Sequence, residues 1–116
     1  MKVNITELDL SVLPSPWGTS ANVADKIEYD EKMNPYVNGL PKDVEEKWEN
    51  RYMDFFKLFL KHKDKIRRVT FWGLTDSQSW KNDFPVKGRT DYALFFDRKC
   101  EAKPVVEKII KLAEKK

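Results

Sequence analysis

The sequence predicts an α/β chain in the order strand, long loop, helix, strand, long loop, helix. Three observations carry that prediction. Residues 3–6 and 68–74 are short runs rich in apolar and β-branched side chains, as strands require. Between them Val44, Trp48, Tyr52, Phe55, Phe56 and Phe59 recur at helical spacing, and a second helical pattern closes the chain. Both long loops follow strands, whereas the helix-to-strand connection is short. In α/β folds the loops after the carboxyl ends of strands build the site.

Composition narrows the function classes. At 116 residues the length suits one domain spanning 1–116. A hydrophobic share of 41% and an aromatic share of 13% suit a packed core and argue against a disordered tail. The net charge of +3 comes from 22 basic and 19 acidic residues that are interspersed, which argues against nucleic-acid binding. Cys100, alone, excludes an internal disulfide framework and leaves the redox compartment undetermined. No Cys/His cluster suggests structural zinc. No signal peptide and no apolar run of membrane-spanning length is expected.

Taken in order, the first strand is expected to be buried, and Glu7 interrupts its apolar run. A carboxylate in a buried strand costs several kcal/mol unless it is paired or sits at the open end. Two readings of Glu7 stay open on these residues: a functional charge, or a group facing water with Asp9 on an edge strand. Residues 11–40 form a loop punctuated by Pro14, Pro16, Gly18, Pro35 and Gly39, with a weak helical signal at 23–29. Trp17, Tyr29 and Tyr36 either pack beneath this loop or stand up as stacking platforms. A loop of this length usually carries function or is mobile.

Pro41 in the first turn, followed by Asp43, Glu45 and Glu46, predicts an amphipathic helix of about six turns. Lys61, His62 and Lys63 end it, and His62 reads as a surface residue. Residues 68–74 then predict a strand buried on both faces. A right-handed parallel crossover to the first strand is the natural topology. Residues 75–95 form a second loop bearing Asp76, Gln78, Ser79, Trp80, Asn82, Asp83, Lys87 and Arg89. An apolar run at 92–96 and a turn at 97–100 lead to a final helix. It opens at Pro104 and buries Val105, Val106, Ile109, Ile110 and Leu112. This plan places Glu7, Asp9, Trp72, Asp76 and Trp80 at one end of the sheet.

These residues carry a family resemblance. Ile5-Thr6-Glu7-Leu8-Asp9-Leu10 resembles the nucleophile signature of glycoside hydrolase family 10, the (β/α)8-barrel endo-1,4-β-xylanases. Residues 69–76, with Ser79-Trp80, resemble that family's eighth-strand motif. Leu94-Phe95-Phe96-Asp97 and Ala102-Lys103-Pro104 resemble its C-terminal pattern. The resemblance implies the C-terminal portion of a TIM barrel, its seventh and eighth βα units, from a retaining enzyme that cleaves the xylan backbone. It implies that Glu7 is the nucleophile and that Asp9 orients a histidine contacting it. Trp72 and Trp80 match the tryptophans that wall the sugar subsite; a core position remains the other reading of Trp72. Asp76 and Ser79 match loop-fixing partners. Asp76, Trp17 and Tyr36 are kept as further residues for substrate binding or loop fixing.

The departures matter as much. A family barrel spans roughly 250 residues or more. The general acid/base glutamate lies on an earlier strand of that barrel and has no equivalent here. Retention needs two carboxyl groups about 5–5.5 Å apart. The motif starts one residue before Met1 in the family, so a split or truncated gene, or an internal methionine read as a start, is one expectation. Alone, the chain is expected to be marginally folded and inactive. A non-catalytic remnant with weak carbohydrate binding is the alternative. The expected partners are xylan or xylo-oligosaccharide and the missing N-terminal barrel segment, with no nucleic acid and no membrane. No cofactor or metal is implied, since two-carboxylate chemistry needs none. The resemblance implies an extracellular or periplasmic location.

Overall fold

The computed structural model describes residues 1–14, 34–84 and 87–115. The readings of Trp17, Tyr29 and a helical turn at 23–29 lie outside the described residues. The elements are β1 (Val3–Leu8), α1 (Lys42–Lys61), β2 (Ile66–Phe71) and α2 (Pro104–Glu114). Two single 3₁₀ turns, Asp76–Gln78 and Trp80–Asn82, stand in the loop after β2.

β1 and β2 pair in parallel, with Val3 opposite Ile66, Ile5 opposite Val69 and Leu8 opposite Phe71. Between Ile5 and Leu8, β1 therefore advances one residue more than β2. That extra residue is a bulge, and Glu7 absorbs it with a φ of 57°. Only residues 62–65 separate α1 from β2.

α1 follows its sequence pattern closely. Pro41 stands just outside the first turn, at the cap position, and its carbonyl accepts a bond from the Glu45 amide at 3.0 Å. Asp43 and Glu45 lie at the positive end of the helix dipole and Lys61 at the negative end. Trp48 and Tyr52 are buried, while Val44, Phe55, Phe56 and Phe59 are half-buried along the same stripe. His62 is exposed, as expected.

The core joins α1 to α2 and to the sheet. Trp48, Tyr52, Val105 and Ile109 form its centre, with Leu8, Leu10, Met53, Phe56, Phe71 and Phe95 packed around them. Ring centroids lie 4.7 Å apart for Trp48–Tyr52, 4.9 Å for Tyr52–Phe95 and 4.2 Å for Phe71–Phe95. Such ring pairs add about 0.5–1.5 kcal/mol each beyond area burial. The two polar ring atoms at the centre are satisfied by loop backbone. Trp48 Nε1 donates to the Leu10 carbonyl at 2.8 Å, and the Tyr52 hydroxyl to the Ala93 carbonyl at 2.9 Å. The aromatic core is thereby bonded to both loops that follow the strands.

The structure corrects several expectations. The second strand starts at Ile66 and ends at Phe71, because Gly73, at φ 131°, turns the chain away. Neither strand is buried on both faces: Val3, Asn4, Arg67, Arg68 and Thr70 are exposed. In a two-stranded sheet, the aromatic stripe of α1 covers one face and nothing among the described residues pairs the outer edges. On α2, Ile110 is 53% exposed. Val105 and Ile109, four residues apart, define the buried stripe, and Ile110 lies one step round from it.

Candidate active site

Glu7 sits where β1 bulges. It is exposed, and its φ of 57° places a non-glycine residue in the left-handed region, which costs about 1–2 kcal/mol. Strain of this kind clusters at functional sites. The ladder then continues one step beyond the strands: the Trp72 amide donates to the Leu8 carbonyl at 3.1 Å. Trp72 is thus pinned beside Leu8, with Glu7 and Asp9 as that residue's chain neighbours. In this two-stranded sheet Trp72 is 49% exposed. Gly73 makes this placement possible. A Cβ there would lie 2.7 Å from Leu94 Cδ1, at a φ that L side chains rarely adopt.

Asp9 and Trp80 meet across 71 residues of sequence. Trp80 Nε1 donates to Asp9 Oδ2 at 2.7 Å. Lys81 Nζ stands 3.8 Å from Asp9 Oδ1 and 4.7 Å from the centre of the Trp80 ring. Phe84 packs beside the indole with centroids 5.4 Å apart. Trp80 nonetheless keeps 40% of its surface exposed. Burial pushes the Asp9 carboxyl above its ordinary value; the Trp80 bond and Lys81 oppose this, and Asp91 and Glu7 reinforce it.

Asp76 belongs to the support. It is fully buried, and Lys103 Nζ approaches its two carboxylate oxygens at 2.8 and 3.1 Å. Its Oδ1 also accepts the Leu94 amide at 3.0 Å, and Lys103 donates a further bond to the Tyr92 carbonyl at 3.1 Å. This geometry fits loop fixing. Ser79 caps the second 3₁₀ turn, its Oγ accepting from the Lys81 amide at 3.2 Å. The Tyr36 carbonyl accepts the Tyr92 hydroxyl at 2.7 Å, so Tyr36 is tied into the same scaffold.

Sequence reasoning missed three residues. Lys81 was masked by the run of polar loop residues around it. Lys103 was noticed as part of a motif but not as the partner of Asp76. Asp91, fully buried, was not singled out. Its carboxylate accepts from Ser11 Oγ, from the Val12 amide at 3.1 Å and from the Tyr92 amide at 2.7 Å, clamping the two loops together. Among the described residues no group of three His, Cys, Asp or Glu side chains gathers in a way that could hold a metal ion. No helix among them is long and apolar enough to cross a membrane.

At and beyond the ends of the parallel strand pair the chain presents an exposed carboxylate and two exposed indoles. The model of glycosyl hydrolase family 10 matches residues 1–112, and the chain belongs to that family. It is 46% identical over 113 residues to endo-1,4-beta-xylanase A of Xylanibacter ruminicola, covering 97% of this chain and 31% of that protein. It is 33% identical to endo-1,4-beta-xylanase A of Caldicellulosiruptor saccharolyticus over 111 residues, 96% of this chain and 28% of that protein. Among solved structures, a family 10 endoxylanase retrieved from a sugarcane soil metagenome superimposes with a TM-score of 0.89 at 51% identity. That match covers 97% of this chain and 33% of the other. A xylanase of Paenibacillus barcinonensis gives a TM-score of 0.71 at 30% identity, over 95% of this chain and 29% of that one. The chain thus spans about a third of the length of the relatives it matches. Those neighbours are (β/α)8 barrels, and this chain is a portion of that fold, with coverage consistent with a C-terminal segment.

Proposed function

We propose that this chain is the C-terminal part of a retaining endo-1,4-β-xylanase and supplies the nucleophile and the aromatic walls of its cleavage subsite. One observation carries the reading: Trp72 and Trp80 are both held within two residues of Glu7, by the Leu8 carbonyl and by Asp9. Glu7, exposed at the strand end, is the nucleophile. Its carboxylate attacks the anomeric carbon and the glycosidic bond breaks. The resulting glycosyl-enzyme ester is cleaved by water in a second step. The flat indole faces suit the apolar face of a pyranose and exclude water from the reacting centre. Residues 1–116 form one partial catalytic domain in this reading.

Protonation of the leaving oxygen needs a second carboxyl group about 5–5.5 Å from the first. Asp9 is engaged by Trp80 and Asp76 by Lys103, so neither serves. The acid/base glutamate comes from the remaining six βα units, and the chain by itself is inactive. Co-expression with a polypeptide carrying those units tests this. Xylan hydrolysis is expected from the pair and not from either part, and Glu7→Ala in the pair removes it. A pair that assembles without activity, or full activity from the 116 residues alone, contradicts the proposal.

A further inference from the structure

The contacts around Asp9 point to a role that its place beside the nucleophile does not by itself suggest. One carboxylate oxygen, Oδ2, takes the Trp80 indole N–H at 2.7 Å. The other, Oδ1, faces Lys81 at 3.8 Å, an ionic contact longer than a hydrogen bond. Lys81 in turn sits over the Trp80 ring at 4.7 Å. The three side chains close a triangle in which each holds the other two. Trp80 itself lies in a single 3₁₀ turn, which has little stiffness of its own.

We infer that Asp9 and Lys81 form a latch that sets the orientation in which the Trp80 indole is exposed, so that Asp9 is a positioning residue for the sugar-stacking wall. An indole edge tied to a carboxylate on the next strand end cannot swing about χ1 without breaking a charge-assisted bond.

The latch depends on the Asp9 charge. The groups facing that carboxylate are Trp80 and Lys81 from the loop after β2, Asp91 from the end of that loop and Glu7 from β1. Protonation removes the attraction to Lys81 and weakens the acceptor for the indole. Burial raises the Asp9 value, so as pH falls release comes before an ordinary aspartate would titrate.

The sugar-presenting half of this inference rests on the proposed function; the latch itself does not. The test uses the full chain with ¹⁵N-labelled tryptophan, the Trp80 indole resonance being assigned by its loss in Trp80→Phe. The Trp80 signal is expected to titrate in the wild type at a pH above that of an ordinary aspartate. It should become pH-independent in Asp9→Asn and move to a free-indole shift in Asp9→Ala. Lys81→Met should broaden it while leaving the Trp72 signal in place. A Trp80 resonance indifferent to Asp9→Ala, in a chain whose Trp48 signal stays native, overturns the latch. With xylohexaose as probe, Asp9→Ala should weaken binding about tenfold, as loss of a preorganised wall would, and Asp9→Asn, neutral like the protonated acid, should weaken it as well. If neither the chain nor its complex with the remaining barrel units binds xylohexaose, the carbohydrate reading fails, and the indole titration alone decides the latch.

Discussion

At the scale of single residues, Glu7 combines an expected chemistry with an unexpected backbone. Its carboxylate was legible from the signature around it. Its φ of 57° was not, because a bulge arises from pairing with β2, which lies almost sixty residues on. The strain gives a prediction that separates backbone from side chain. Both Glu7→Ala and Glu7→Gly remove the carboxylate, but only glycine relieves the left-handed conformation. Glu7→Gly is expected to be about 1 kcal/mol more stable than Glu7→Ala, read as a higher urea midpoint. Equal midpoints would mean that the bulge relaxes without cost. Trp72 and Trp80 were likewise legible as residues. Their anchoring was not, since it uses the Leu8 carbonyl and a carboxylate far away in sequence.

At the scale of elements, α1 could be read directly, because one stripe of aromatic residues at helical spacing has a single way to be buried. The Asp76–Lys103 pair could not, since it joins the loop after β2 to the residue that precedes α2. Burial drives both partners toward their uncharged forms, Asp76 upward and Lys103 downward, against their mutual attraction. Desolvation therefore outweighs the pairing, and the pair fixes where α2 docks more than it stabilises the fold. Removing one partner is a different matter. Lys103→Met leaves Asp76 buried and unpaired and is expected to cost about 3 kcal/mol or more in urea unfolding. The pH dependence has a definite sign. A folded-state value above 3.8 means that the folded chain takes up the Asp76 proton more readily than the unfolded one. Its contribution is fully present below 3.8 and is lost as pH rises through the folded value. Asp76→Asn should flatten that part of a pH series of urea midpoints.

At the scale of the whole molecule, the sequence conveyed the order of elements but not the openness of the result. The continuous apolar run at 68–74 implied burial on both faces, whereas Trp72 and Leu74 are 49% and 59% exposed. A run of that kind is shaped for a closed parallel sheet. In this two-stranded sheet the outer edges find no partner among the described residues. Unpaired parallel edges template further pairing. The chain alone is expected to associate with rising concentration, and added barrel complement should suppress this; light scattering over a dilution series checks both. One buried group offers a view of the same core by a different route. The Tyr52 phenol is held well above the usual tyrosine range, burial being the main cause and the carboxylates of Asp9, Asp76 and Asp91 adding to it. Above pH 10 only the unfolded chain can release that proton, so folding weakens as alkali is added. The phenolate band near the ultraviolet edge should therefore gain Tyr52 in one abrupt step, at the pH where the chain opens. A ring placed to seal the core thus doubles as a built-in optical gauge of whether the strand-end loops remain closed.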